Sequence, residues 1–294
     1  MPSGNSVDVI AAMAPLSALA DRRNLSHRIL SGAILAPLTL FLTFVGGLPF
    51  GLVMAIAAAI GLGEWLKLTT GRRWNWAYPA PLLVLFGYRA AGFMAGLALL
   101  ALLAVVIAAL IVRRTAPPGG TGTAASGPVA FGPVAFGLPY VGLTVLALAW
   151  LRDGAGWPFV FFVFLVVWGT DVGAFFVGRT LGGPRLAPKV SPKKTWSGAL
   201  GGLVFAALAA IAWSASFSAA ANPLQVVGVA VVLSVFGQCG DLFESAVKRH
   251  YGVKDSGELI PGHGGMLDRI DALLAAAPVF AILHALGLTA SLSQ

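Results

Sequence analysis

Apolar runs of roughly twenty residues recur along the chain from residue 30, separated by short polar breaks. A helix that crosses the hydrocarbon core of a bilayer needs roughly 20 mostly apolar residues. On that measure the pattern predicts nine spans, at 30–48, 49–66, 77–93, 94–112, 134–151, 157–178, 197–218, 223–246 and 271–289. Arg89 and Gly92 part the third span from the fourth in an otherwise nearly continuous run. The predicted fold class is an all-α integral membrane protein, a polytopic bundle of about nine transmembrane helices. Composition agrees: 58% of the 294 residues are hydrophobic and 10% charged, where a soluble domain carries about 25% charged residues.

The basic residues orient the bundle. The N-terminal tail and the second, fourth, sixth and eighth loops hold 17 of the 19 Lys and Arg residues, and Arg89 and Arg152 are the other two. Loops rich in Lys and Arg stay in the cytoplasm, so the N-terminus is predicted cytoplasmic and the C-terminus outside. Merging the third and fourth spans would break this alternation, which favours nine. The net charge of +8 is then a property of cytoplasmic loops facing anionic lipid, and nucleic-acid binding is not expected. One cysteine, Cys239, allows no intrachain disulfide. Residues 1–28 read as a tail without the early basic region of a signal peptide. Residues 115–133, rich in Pro, Gly, Thr and Ser, read as a flexible linker. It divides an N-terminal transmembrane bundle (29–114) from a C-terminal region (134–294) that carries the chemistry.

Polar residues in that region form three clusters on the predicted cytoplasmic side. Asp171 lies near the end of the sixth span, where an ionisable group is costly and by default functional. Ser191-Pro-Lys193-Lys194-Thr195, just before the seventh span, offers two cations, hydroxyls and a helix start to phosphates. The third cluster runs from Asp241 to Asp271 and holds six of the eleven acids. Asp241 and Glu244 end one span, and Asp268 and Asp271 begin the next, each pair three apart on one helical face. Such carboxylates suit a hard cation such as Mg²⁺. Gly264 and Gly265 beside His263 suit a loop whose backbone N–H groups approach a phosphate. Zinc is not expected, for want of a His pair at helical spacing. Together these features suit metal-assisted transfer at phosphorus.

The residues Ser245-x-Val-Lys248-Arg249, Lys254-Asp255-x-Gly257 and Ile260-Pro-x-His263-Gly264-Gly265-Met-x-Asp268-Arg269-Ile-Asp271 resemble the signature of the phosphatidate cytidylyltransferases, or CDP-diacylglycerol synthases. Ser191-Pro-Lys-Lys-Thr and Gly240-Asp241-Leu-Phe-Glu-Ser also resemble that family's pattern, with one departure: Ser197 stands where glutamate is expected. The resemblance covers residues 169–272. It implies an integral membrane enzyme of the cell inner membrane that joins CTP to phosphatidic acid, uses Mg²⁺ (alone or with a second cation) and forms homodimers. On the residues matched, Asp241, Asp268 and Asp271 are expected to hold metal. Lys193, Lys194, Lys248, Arg249 and Arg269 are expected at the phosphates, and His263 at a phosphate oxygen or the leaving group. Asp171, Ser191, Thr195, Ser245, Lys254, Asp255, Gly264 and Gly265 are expected around the substrates. The rivals are a CDP-alcohol phosphotransferase, a CTP-dependent lipid kinase, and a transporter of an anionic solute. The transporter fits poorly, because the first five spans carry few polar residues, chiefly Glu64 and Arg89.

Overall fold

The structure, a computed structural model, describes residues 34–115, 130–257 and 264–293. The expected tail at 1–28, most of the expected linker at 115–133, and His263 lie outside the described residues. The described chain is a helical bundle: α1 (Ile34–Val45), α2 (Gly47–Thr70), α3 (Ala80–Ala91), α4 (Phe93–Thr115), α5 (Phe131–Gly154), α6 (Trp157–Leu181), α7 (Trp196–Phe217), α8 (Pro223–His250) and α9 (Leu267–Ala285). Six of these, α2 and α4–α8, are long and apolar enough to cross a membrane. Helix α3 has only 12 residues, about 18 Å at 1.5 Å per residue, which is shorter than the hydrocarbon core. Helix α9 has 19 residues, but Asp268, Arg269 and Asp271 occupy its start.

Local sequence sets the boundaries. The split between α3 and α4 falls at Gly92, whose φ of 85° is left-handed and suits glycine. Helix α8 starts at an Asn222 side chain that accepts from Leu224 N, with proline at the first helical position. It runs past the predicted end to His250, and the cations Lys248 and Arg249 in its last turn favour the negative end of the helix dipole. Two short strands were not foreseen. β1 (Arg185–Ala187) pairs antiparallel with β2 (Ser191–Thr195), and Ala187 lies opposite Ser191.

Two buried apolar clusters hold the bundle. One joins α5 to α6–α9 around Phe162, Trp213, Leu233 and Phe280. The other joins α2–α5 around Leu62, Leu85, Ile111 and Leu146, and takes Leu267 and Leu274 from α9. Helices α5 and α9 enter both, as does α2 through Phe50. Helices α6 and α7 pack backbone to backbone: a Cβ on Gly173 would lie 2.6 Å from the Gly201 carbonyl oxygen. Small residues permit such close crossings in membranes.

The two basic residues outside the majority compartments meet at one end of the bundle. Arg89 pairs with Asp153 at 3.0 Å, and Tyr88 donates to the same carboxylate at 2.8 Å. The neighbouring Arg152 donates to the carbonyls of Thr43 and Phe44 at 2.6 and 2.7 Å, capping the end of α1. Its guanidinium fills the space a side chain at Gly46 would need.

At the other end Glu64 joins α2 to α9. Its carboxylate accepts from Met266 N and Leu267 N, both at 2.9 Å, and from Ser256 Oγ at 3.0 Å. The N–H groups of a helix's first turn lack intrahelical partners, and Glu64 supplies them from a buried site. Removing it leaves two amides unsatisfied, at about 1–3 kcal/mol each, while the Ser256 hydroxyl keeps Asp268 as an acceptor. Glu64→Ala is therefore expected to lower stability by about 3 kcal/mol, read as a lower thermal midpoint in detergent. Glu64→Gln, which keeps a carbonyl acceptor, is expected to lose less. Equal midpoints for all three proteins would show that these donors have other acceptors.

Candidate active site

The β-hairpin carries the lysines to α8. Thr195 caps α7, its Oγ1 accepting from Gly198 N at 3.1 Å. The preceding β2 thereby holds Lys193 and Lys194 over the helix start. Lys194 Nζ forms an ion pair with the Asp241 carboxylate, and Ser245 Oγ lies 3.4 Å from Asp241 Oδ1. Ser197, where glutamate was expected, bonds the Gly182 carbonyl and the Thr195 hydroxyl. It closes the hairpin base. Arg249 fastens the hairpin turn from α8, donating to the Val190 carbonyl at 3.3 Å and to that of Val253 at 3.0 Å.

Below the hairpin lies a cavity of about 460 Å³, lined by Asp171, Lys193, Lys194, Thr195 and Asp241. These five residues come from two predicted clusters and the start of the third. Arg179, Arg185 and Gln238 also line it. None of these three was among the expected site residues, although Arg179 ends the stretch that carries Asp171. Ser191 stands at the start of β2, half-buried. Asp171 lies within electrostatic range of Asp241, Lys194 and Arg269.

A second set of charges lies between α8 and α9. Lys248 pairs with Asp268 and, at 3.3 Å, with Glu244. Glu244 is 1% exposed, and its oxygens accept no hydrogen bond among the described residues. A buried carboxylate with only one cation beside it is costly, and Asp241 and Asp271 both neighbour this cluster. The helices cross closely here: a Cβ on Gly240 would lie 2.8 Å from the Asp271 carbonyl oxygen and from the Ala275 side chain. That approach brings Asp241 and Asp271 onto facing turns.

Asp268 is the most fully engaged acid. Beyond Lys248 it accepts from Ser256 N and Ser256 Oγ at 3.0 Å and from Gly265 N at 2.9 Å. The Gly264–Gly265 pair shapes this contact. Gly264 has φ 81°, and a side chain on Gly265 would overlap Ser256 and Glu64. The Gly265 N–H expected to face a phosphate is thus bonded to Asp268. Ser256 links Asp268 to Glu64, so a continuous chain of polar contacts runs from α2 through Asp268 and Lys248 to Glu244. Glu64 and Ser256 were not among the expected site residues. The available signal was Glu64 itself, a lone acid in an apolar span. Lys254 and Asp255 are exposed on the loop after α8 and make no ion pair among the described residues.

Among the described residues no three His, Cys, Asp or Glu side chains converge as a metal cluster. Mg²⁺ is generally held by one or two carboxylates plus substrate phosphates and water. The pair Asp241 and Asp271 fits that donor set: both are carboxylates, within electrostatic range of each other and of Glu244.

The sequence profile of the cytidylyltransferase family matches residues 26–286. A phosphatidate cytidylyltransferase of Brucella suis biovar 1 (strain 1330) is 40% identical over 276 residues, 90% of this chain and 94% of that one. One of Bacillus subtilis (strain 168) is 34% identical over 90% of this chain and 98% of its own. One of Staphylococcus aureus (strain COL) is 44% identical over 128 residues, 44% of this chain and 49% of its own. With its hairpin lysines set against the α8–α9 acids, and with a match of this extent, the chain is a membrane enzyme of the cytidylyltransferase family.

Proposed function

We propose that this enzyme joins CTP to phosphatidic acid at the cytoplasmic face of the inner membrane, giving CDP-diacylglycerol and pyrophosphate. The observation that carries this reading is the cavity where Lys193 and Lys194 meet Asp171 and Asp241. It combines cations for a polyanion with carboxylates for a hard cation. The extent of the match to named phosphatidate cytidylyltransferases supports the choice of substrates. The distribution of basic residues turns the cavity toward cytosolic CTP. The family resemblance implies a homodimer.

In the reaction an oxygen of the lipid's phosphomonoester attacks the α-phosphorus of CTP. The bond from that phosphorus to the α–β bridging oxygen breaks, and its electron pair leaves with pyrophosphate. The nucleophile is already anionic near neutral pH, so no dedicated base is needed. The work lies in aligning two polyanions and offsetting their charge. Lys193 and Lys194, with Arg179 and Arg185, hold the triphosphate. Lys248 and Arg269 face the α8–α9 side, where the lipid phosphate enters. Asp241 and Asp271 would hold Mg²⁺, which supplies charge neutralisation at the phosphate oxygens. Asp268, whose oxygens are occupied by protein donors, fixes Lys248 and the first turn of α9. His263 keeps its proposed place at a phosphate oxygen.

Incubation of the purified protein with labelled CTP, phosphatidic acid and Mg²⁺ is expected to yield CDP-lipid and pyrophosphate in equal amounts. CDP release with a phosphorylated lipid would instead identify a lipid kinase. Asp271→Asn is expected to raise the Mg²⁺ concentration needed for half-maximal rate. Asp268→Asn should lower turnover about a hundredfold at every Mg²⁺ concentration. A shifted Mg²⁺ requirement in Asp268→Asn alone would return Asp268 to the metal. Lys194→Ala is expected to raise the KM for CTP about tenfold, and unchanged kinetics would remove it from the phosphates.

A further inference from the structure

The last turns of α8 carry two stripes. Asp241, Glu244 and Lys248 belong to the charged site. Phe243, Ala246, Val247 and His250, spaced i, i+3, i+4 and i+7, line a separate apolar cavity of about 550 Å³. Trp65 of α2 and Phe136 of α5 form its other wall. Phe136 and Phe243 pack at 5.8 Å between ring centroids yet remain 44% and 41% exposed, so the cavity opens outward from the bundle.

Tyr140 stands between the two stripes. Its ring packs against Trp65, Phe136 and Phe243 at 5.1, 5.5 and 5.6 Å. Its hydroxyl is buried without a hydrogen-bond partner among the described residues and lies within electrostatic range of Glu244, Asp271 and Asp241. One residue thus forms the partition between an apolar groove and a phosphate-handling site.

We propose that this groove receives an acyl chain of the lipid substrate, a proposal that rests on the function argued above. A phosphatidate is anionic at one end and apolar at the other, and α8 presents both complements within three turns. Lys248 and Arg249 stand at the end of α8 where the groove reaches His250 and Tyr251. A headgroup held there leaves its chain to run along Phe243, Ala246 and Val247 toward the bilayer. The apolar contact then selects for chain length, and the charged stripe does not.

The test narrows the groove without touching the charged stripe. Ala246→Phe, assayed in mixed micelles, is expected to lower kcat/KM for dioleoyl phosphatidate about tenfold relative to dihexanoyl phosphatidate. The KM for CTP should be unchanged. Ala246→Leu should shift the ratio the same way by less, and it carries the test should the larger substitution prevent folding. A ratio equal to wild type in a folded variant overturns the proposal and leaves the groove to bulk membrane lipid. Equal loss on both lipids also overturns it. Wild-type protein that converts neither lipid overturns the underlying function, and the groove assignment with it.

Discussion

The first turn of α9 must end in apolar surroundings with its amides satisfied, and the carboxylate of Glu64 meets that demand. Much of the site follows from this contact. It fixes the start of α9, which sets Asp268 and Asp271. It holds Ser256, whose backbone and hydroxyl then hold Asp268. Asp268 in turn holds Lys248, and Lys248 balances Glu244. An acid buried in α2 therefore positions Asp268, Lys248 and Glu244 through a chain of hydrogen bonds and ion pairs. Because the interior is poor in competing donors, each of these contacts counts for more than it would in water.

Charge is placed sparingly elsewhere. Arg89 and Arg152, at the end of the bundle away from Glu64, are each bound: one to Asp153, the other to the end of α1. The cations lining the hairpin cavity are differently disposed, gathered at one concave face with Asp171 and Asp241. Lys194 among them is paired with Asp241, but these cations line a cavity rather than close a helix end.

Much of this was legible in the sequence because it is local. Apolar run lengths mark the helices, and Gly92 marks the break between α3 and α4. The Lys193–Lys194 pair before a helix start suggested phosphate contact, and the hairpin sets Lys194 against Asp241. The hairpin was missed because β1 and β2 are three and five residues long and lie in a loop read only for its charge. The shortness of α3 was missed because an apolar run shows where lipid or protein interior surrounds the chain, not where the helix stops. The role of Glu64 was out of reach for another reason. Its partners lie 192 to 203 residues away in the chain, and no periodicity reports such a contact. The same holds for Asp268, whose spacing with Asp271 suggested a shared cation but whose donors come from the preceding loop.

The glycine seam between α6 and α7 has a mechanical consequence. Where backbones touch at Gly173 and Gly201, with Phe205 wedged alongside, neither helix can slide or rotate without colliding with its neighbour's main chain. Asp171 on α6 and the hairpin ahead of α7 are therefore joined through one tightly packed helix pair. On the opposite wall α2, α5 and α8 meet instead through the rings of Trp65, Phe136, Tyr140 and Phe243. The candidate site thus lies between one wall set by main-chain contact and another set by the packing of rings.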